Sequence, residues 1–198
     1  MAVSSSSPAV AARCAHAKAG VGVVASQNIT DPRLGPKTLL AMAEGHSAPE
    51  AVKMIINASK NADFRQLLAV DASGNAAIYS GSKSLGTHAD FTSQNAAAAG
   101  NLLANPNIPE AMVTAFHQGT GHLCDRLIDA MRAALALGGE AGALHSAGLL
   151  LVGEQEWPMA DLRCDWTEDC PIEALSLIHI SEPTRPLYIS YAVFCLKK

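Results

Sequence analysis

The stretch Arg65–Gly81, RQLLAVDASGNAAIYSG, constrains this chain more than any other. Two apolar runs, Leu67–Val70 and Ala76–Tyr79, flank Ser73-Gly74-Asn75. Asp71 and Asn75 are short polar residues that tolerate turn geometry, and Gly74 supplies a permissive backbone. The pattern is that of a β-hairpin. No nucleophile, base and orienting group stand together in it. It dictates architecture and leaves chemistry to other segments.

The flanking chain pairs helices between pairs of strands. AVAARCAHAK, after Pro8, reads as a short alanine-rich helix, and Val21–Ser26 as an apolar strand. Asp31-Pro32 and Gly35-Pro36 punctuate Ile29–Gly35 as loop. Lys37–Glu44 reads as a helix stopped by Gly45. Ser47, with Pro49 and Glu50 behind it, is a capping box that starts a helix over Ala48–Ser59. Its inner stripe is Ala51, Val52, Ile55, Ile56 and Ser59. Ser82–Ser93 reads as polar loop and Ala96–Gly100 as a tightly packed strand. Ile108–His117 and His122–Leu137 read as helices broken at Gly119–Gly121. Cys124 and Met131 fall on the apolar face of the second helix, as core residues. His145–Gly153 and Ala160–Trp166 form a second hairpin. This order disfavours Rossmann alternation and favours an α+β fold with helical layers outside sheets.

Composition excludes several functions. The 198 residues suffice for one domain with a substantial core. Lys and Arg number 14 against 18 Asp and Glu, a net charge of −4, and no basic run occurs. A nucleic-acid partner is not expected. The acidic excess is local: Glu154, Glu156, Asp161, Asp165, Glu168, Asp169 and Glu173 are accompanied by Arg163 alone, as on a solvated edge, with a cation site as the alternative. No apolar run approaches the roughly 18 residues of a membrane span. Ala9–Ala12 is too short for an export signal and Arg13 interrupts it. The five cysteines are scattered without a CxxC pair, as expected of reduced thiols in a cytoplasmic protein.

No dinucleotide or phosphate loop, zinc-protease helix or nucleophile elbow is present. The histidines His16, His46, His88, His117, His122 and His145 lack metal-ligand spacing, so neither metal nor cofactor is expected. Strand ends are the better candidates. Gln27, Asn28 and Asp31 follow one strand, His88 lies in the long loop, Asn101 ends another strand, and Ser146 opens a third. If these ends converge, they make an amide-rich pocket for a small amide or peptide ligand. The alternative is that the Asn and Gln side chains cap loops. A His145–Ser146 dyad is disfavoured because neighbouring strand residues point to opposite faces.

AVSSSSPAVAARCAHAKAGVGVVASQNITDPRLGPKTL, the Arg65–Gly81 hairpin, TSQNAAAAGNLLANP and EAGALHSAGLLLVGEQEWPMADLRCDW together resemble the DUF1028 family over about Ala2–Leu175. That family resembles the Ntn hydrolases, so the resemblance implies a four-layer αββα sandwich. Ntn hydrolases attack amides with a Thr, Ser or Cys freed at the N-terminus, whose own amine is the base. The resemblance also implies a first strand upstream of Met1, so the sandwich is expected to be incomplete. Neighbouring strands would then carry unpaired backbone groups and the chain would dissolve poorly. Ser4–Ser7 do not inherit the nucleophile's role, and no catalytic residue is assigned.

After Leu175 the composition changes. SLIHISEPTRP resembles translated sequencing-adapter read-through, and Pro183 and Pro186 interrupt the stretch. The expected division is a domain over 1–175 and an artefactual or disordered tail over 176–198. Two functions compete: a parent amide or peptide hydrolase of which this chain is an inactive form, or a non-catalytic binding domain on the same fold. Self-association is left open.

Overall fold

The computed structural model describes residues 1–181 and 192–197, with side chains through Ser176. Among these residues, ten strands and six α-helices make an α+β fold of two sheets. One sheet is four-stranded, in the order β2(Ala15–Lys18), β3(Gly22–Asn28), β4(Arg65–Asp71), β5(Ala76–Ser80), antiparallel throughout. The other is six-stranded, in the order β6(Ala89–Ser93), β7(Ala96–Gly100), β10(Ala192–Lys197), β1(Ala2–Ser5), β8(Ser146–Val152), β9(Pro158–Cys164).

Side-chain alternation along the strands sorts the core into three apolar clusters. Val3, Ala97 and Ala99 of the larger sheet meet Val23, Ala25, Leu68 and Val70 of the smaller one. The opposite face of the larger sheet, including Ala2, Ala96, Ala98 and Leu149, packs on α4(Ile108–Gln118), α5(Leu123–Ala136) and α6(Pro171–Ser181). The opposite face of the smaller sheet, with Val24, Leu67 and Ala69, packs on α2(Leu34–Ala43) and α3(Ala48–Asn57). Alanines at 96–99 are buried on both faces, which lets layers approach on either side of β7.

The Arg65–Gly81 hairpin forms with the expected strands, pairing Val70 with Ala76 and Gln66 with Ser80. The capping box also forms: Ser47 N–H donates to Glu50 Oε2 at 2.9 Å, and α3 ends at Asn57, two residues before the expected Ser59. Cys124 and Met131 are fully buried beneath the larger sheet.

Four segments differ from expectation. The AVAARCAHAK helix stops at Cys14, and Ala15–Lys18 instead becomes β2 against β3. Strand pairing across Gly20–Gly22 outweighs alanine's helix propensity there. Helix α2 begins at Leu34, inside the predicted loop, because Pro36 sits in its first turn, where no amide is needed. The Ser82–Ser93 loop contains β6, whose Ala89 and Phe91 pack on the core while Asp90 and Thr92 face out. Lastly, α6 continues past Leu175 to Ser181, and β10 lies between β7 and β1, parallel to both. Strand β1 therefore pairs along both edges, with β10 and with β8, and the unpaired backbone expected beside it is not present. Among the described residues, no helix is long and apolar enough to cross a membrane.

Candidate functional site

Strands β3 and β4 run antiparallel, so Gln27 near the end of β3 lies opposite Gln66 near the start of β4. Both side chains continue the inward rows of Val23–Ala25 and Leu68–Val70, so they enter the layer between the sheets. Asn101 follows β7 and reaches the same point from the other sheet. All three residues are fully buried.

Their carboxamides form a directed chain. Gln27 Nε2 donates to Gln66 Oε1 at 2.5 Å and to the Ala99 carbonyl at 3.2 Å, linking the two sheets. Asn101 Nδ2 approaches the same Gln66 Oε1 at 3.5 Å. Gln66 Nε2 donates to Ser80 Oγ at 2.9 Å and to the Gly100 carbonyl at 3.3 Å. Ser80 in turn donates to Asp90 Oδ2 at 2.6 Å. The side-chain links from Gln27 through Gln66 and Ser80 all run in one direction, from the interior toward the exposed Asp90. Gln27 Oε1 ends the chain as a buried acceptor without a donor among the described residues. Such an oxygen carries a desolvation cost of about 1–3 kcal/mol until a donor reaches it.

The other predicted residues do other work. Asn28 sits at positive φ (68°), donates to the Phe64 carbonyl at 2.7 Å and accepts from Leu85 N–H at 3.1 Å. It ties two loops together and points away from Gln27. Asp31 is bound by Arg33 Nε and Nη2 at 2.8 and 2.7 Å, and that guanidinium holds its carboxyl down to about 2. His88 is exposed, with Nδ1 3.3 Å from the Gly86 carbonyl. Ser146 is buried 139 residues from its partner: its hydroxyl donates to the Ser7 carbonyl at 2.6 Å and accepts from Val10 N–H, pinning α1(Val10–Cys14) to β8. Gln27 and Asn101 thus meet, whereas Asn28, Asp31, His88 and Ser146 lie apart from them and serve loops, an ion pair and a helix start.

Gln66, the hub of the cluster, is absent from the sequence-based candidates. Its signal was a polar side chain on the same strand face as Leu68 and Val70, where an apolar residue is expected. Among the described residues, no group of three or more His, Cys, Asp or Glu is placed to hold a metal ion.

Residues 1–175 match a family model described as DUF1028, a family of unknown function. A search of curated proteins finds no match. Among solved structures, the chain is similar to protein SPO2555 from Silicibacter pomeroyi, a DUF1028 protein, with a TM-score of 0.82 and 28% identity. That alignment covers 92% of this chain and 82% of the other.

Proposed function

The chain belongs to the DUF1028 family, and from that premise we propose that it binds a small amide or peptide at the Gln27–Gln66–Asn101 cluster. One observation carries the reading: a buried carbonyl oxygen, Gln27 Oε1, stands without a donor among the described residues, at the end of a hydrogen-bond chain that fixes its direction. A ligand N–H entering between the strand ends satisfies that oxygen, and its carbonyl competes for the Gln and Asn amide donors. Carboxamides recognise amides in this way without a charge.

A second reading is amide hydrolysis on an Ntn-type scaffold. What supports it is the succession of three apolar clusters, helix on sheet, sheet on sheet and sheet on helix, the order that an αββα layering would need. Chemistry at the cluster favours binding over cleavage. Among the described residues, the hydroxyl bonded into it is that of Ser80, and its proton points to Asp90 rather than to a base that could relay it to a leaving amine. In this proposal the protein is a cytoplasmic amide-binding module.

The test uses side-chain NH2 resonances of the ¹⁵N-labelled protein, titrated with acetamide and with a blocked dipeptide amide. Saturable shifts of the Gln27, Gln66 and Asn101 signals, with the ligand recovered intact, are expected. Absence of any shift confined to these residues overturns binding, and release of ammonia or of a carboxylate product favours the hydrolase.

A further inference from the structure

A second, open cleft lies beyond the end of β1, apart from the carboxamide cluster. It has a volume of about 400 Å³ and is lined by Ser6, Leu102, Glu140, Gly142, His145 and Trp166 among others. A shallower cleft of about 320 Å³ shares Glu140 and Gly142 with it and adds Glu168 and Asp169. Its floor is fixed: Glu140 is buried and accepts from Ser6 N–H at 3.1 Å and from Ser6 Oγ at 2.7 Å. Leu102, at the rim, is held at a φ of 54°.

One wall is aromatic. The His145 and Trp166 rings stack with centroids 4.2 Å apart and planes 12° from parallel. His145 Nδ1 lies 2.8 Å from the Thr167 carbonyl, which can only accept, so Nδ1 bears a proton and the ring is locked in orientation. Trp166 is 51% exposed despite its size, so beyond the face that His145 covers it offers indole surface that no described residue covers. Its Nε1–H donates to Glu168 Oε1 at 3.0 Å, and Glu168 Oε2 lies 3.8 Å from His145 Nδ1. A carboxylate is thereby parked beside the edge of an exposed indole.

Among the described residues, no Lys or Arg lines the two clefts, while Glu168 and Asp169 line one of them. The electron-rich face of an indole adds to the same sign of field. A planar cation suits both features. A guanidinium stacks on an aromatic face while its fork addresses a carboxylate at the ring edge, which the compact ammonium group cannot do as well. The cavity volume matches a small ligand. We infer that the His145–Trp166 cleft is a binding site for a small guanidinium compound, stacked on Trp166 and paired with Glu168.

The experiment follows Trp166 emission in the full chain carrying Trp157→Phe, which leaves one tryptophan as reporter. The probe is L-argininamide and the control is L-citrullinamide, its uncharged near-isostere. Saturable change with argininamide is expected, about tenfold weaker with citrullinamide and about tenfold weaker again in Glu168→Gln, a side chain exposed enough for the substitution to leave the fold intact. No saturable change, equal response to citrullinamide, or an unaltered Glu168→Gln variant overturns the proposal. Glu168 and Trp166 share no bond with the carboxamide cluster, so a Gln66→Met variant keeps this response whether or not amide binding holds.

Discussion

Asp71 Oδ2 accepts the backbone N–H of Ala48 at 2.9 Å, so the last residue of β4 caps the first residue of α3 across 23 positions of sequence. Its other oxygen receives Ser73 N–H at 2.9 Å and Asn75 N–H at 3.0 Å, closing the hairpin turn. The Asn75 side chain adds bonds at 3.2 and 3.0 Å. One buried carboxylate therefore sets both the turn of the hairpin and the position of the helix behind it.

Replacing Asp71 with Asn removes the charge and one acceptor oxygen at nearly constant volume. Hydrogen bonds to a charged group contribute about 1.5–3 kcal/mol each, with strong sharing, so a loss of about 2–4 kcal/mol is expected in urea unfolding. The same variant tests the pH dependence. Burial raises the Asp71 carboxyl pKa, but the bonds from Ala48, Asn75 and Ser73 outweigh it and hold the value below normal. A group lowered in the folded state binds fewer protons there, so its contribution is full above the unfolded value of about 3.9 and is lost as pH falls through the folded one. The wild-type urea midpoint should fall more steeply than that of Asp71→Asn as pH drops below about 4. Parallel curves would mean that Asp71 is not an acid-sensitive link.

The carboxamide cluster makes a sharper prediction through its pairing. Gln66→Met leaves Gln27 Nε2 short of one acceptor and Ser80 short of its donor, and Gln27→Met leaves Gln66 Oε1 under-used. Each change should cost about 1–3 kcal/mol. The double variant replaces both partners by apolar groups of similar shape, so it should cost less than the sum by about 1–2 kcal/mol. Strict additivity in a denaturant double-mutant cycle would show that the two side chains do not act as a pair.

How much of this was readable in the sequence depends on whether the determining contact is local. The hairpin and the Ser47–Glu50 box are set by residues a few positions apart, and both formed where the pattern placed them. β2 was not readable, because Ala15–Lys18 has a helical sequence and becomes a strand only against β3. The position of β10 was unreadable for the same reason, because Leu196 pairs with Gly100 and Phe194 with Ala2, far away in sequence. At the site, Gln27 and Asn101 were flagged as strand-end amides. Gln66 was hidden inside an otherwise apolar strand, and the His145–Trp166 stack arises only when β8 and β9 lie side by side.

Cys124 is predicted to be chemically silent. The thiol is fully buried on α5, and burial pushes its pKa up to about 11. Only the thiolate attacks an alkylating reagent, so at about pH 8 the reactive fraction is on the order of one in a thousand even before access is counted. Cys164 and Cys170 are only partly buried and should label first in timed iodoacetamide treatment followed by peptide mapping. Labelling of Cys124 at their rate in folded protein would contradict the burial of α5 against the larger sheet.

Gly22 decides whether β2 and β3 can form at all. It sits at a φ of 148°, and a Cβ built on it would lie 2.3 Å from the Val70 carbonyl oxygen and 2.9 Å from Asp71 Cα. Both obstacles are backbone of the central strand β4, so neither can swing aside as a side-chain tip would. Alanine there must either break the Gly22–Asp71 pairing or pull β4 away from β3, which also disturbs Asp71 and the cap on α3. Gly20, two residues earlier at a φ of 68°, has open space where a Cβ would go, so it carries only the left-handed backbone strain. Gly22→Ala should therefore cost more than about 3 kcal/mol and Gly20→Ala about 1 kcal/mol. Thermal or urea unfolding of the two variants side by side gives the comparison. Equal losses would place the strain in the turn rather than in the contact between β3 and β4.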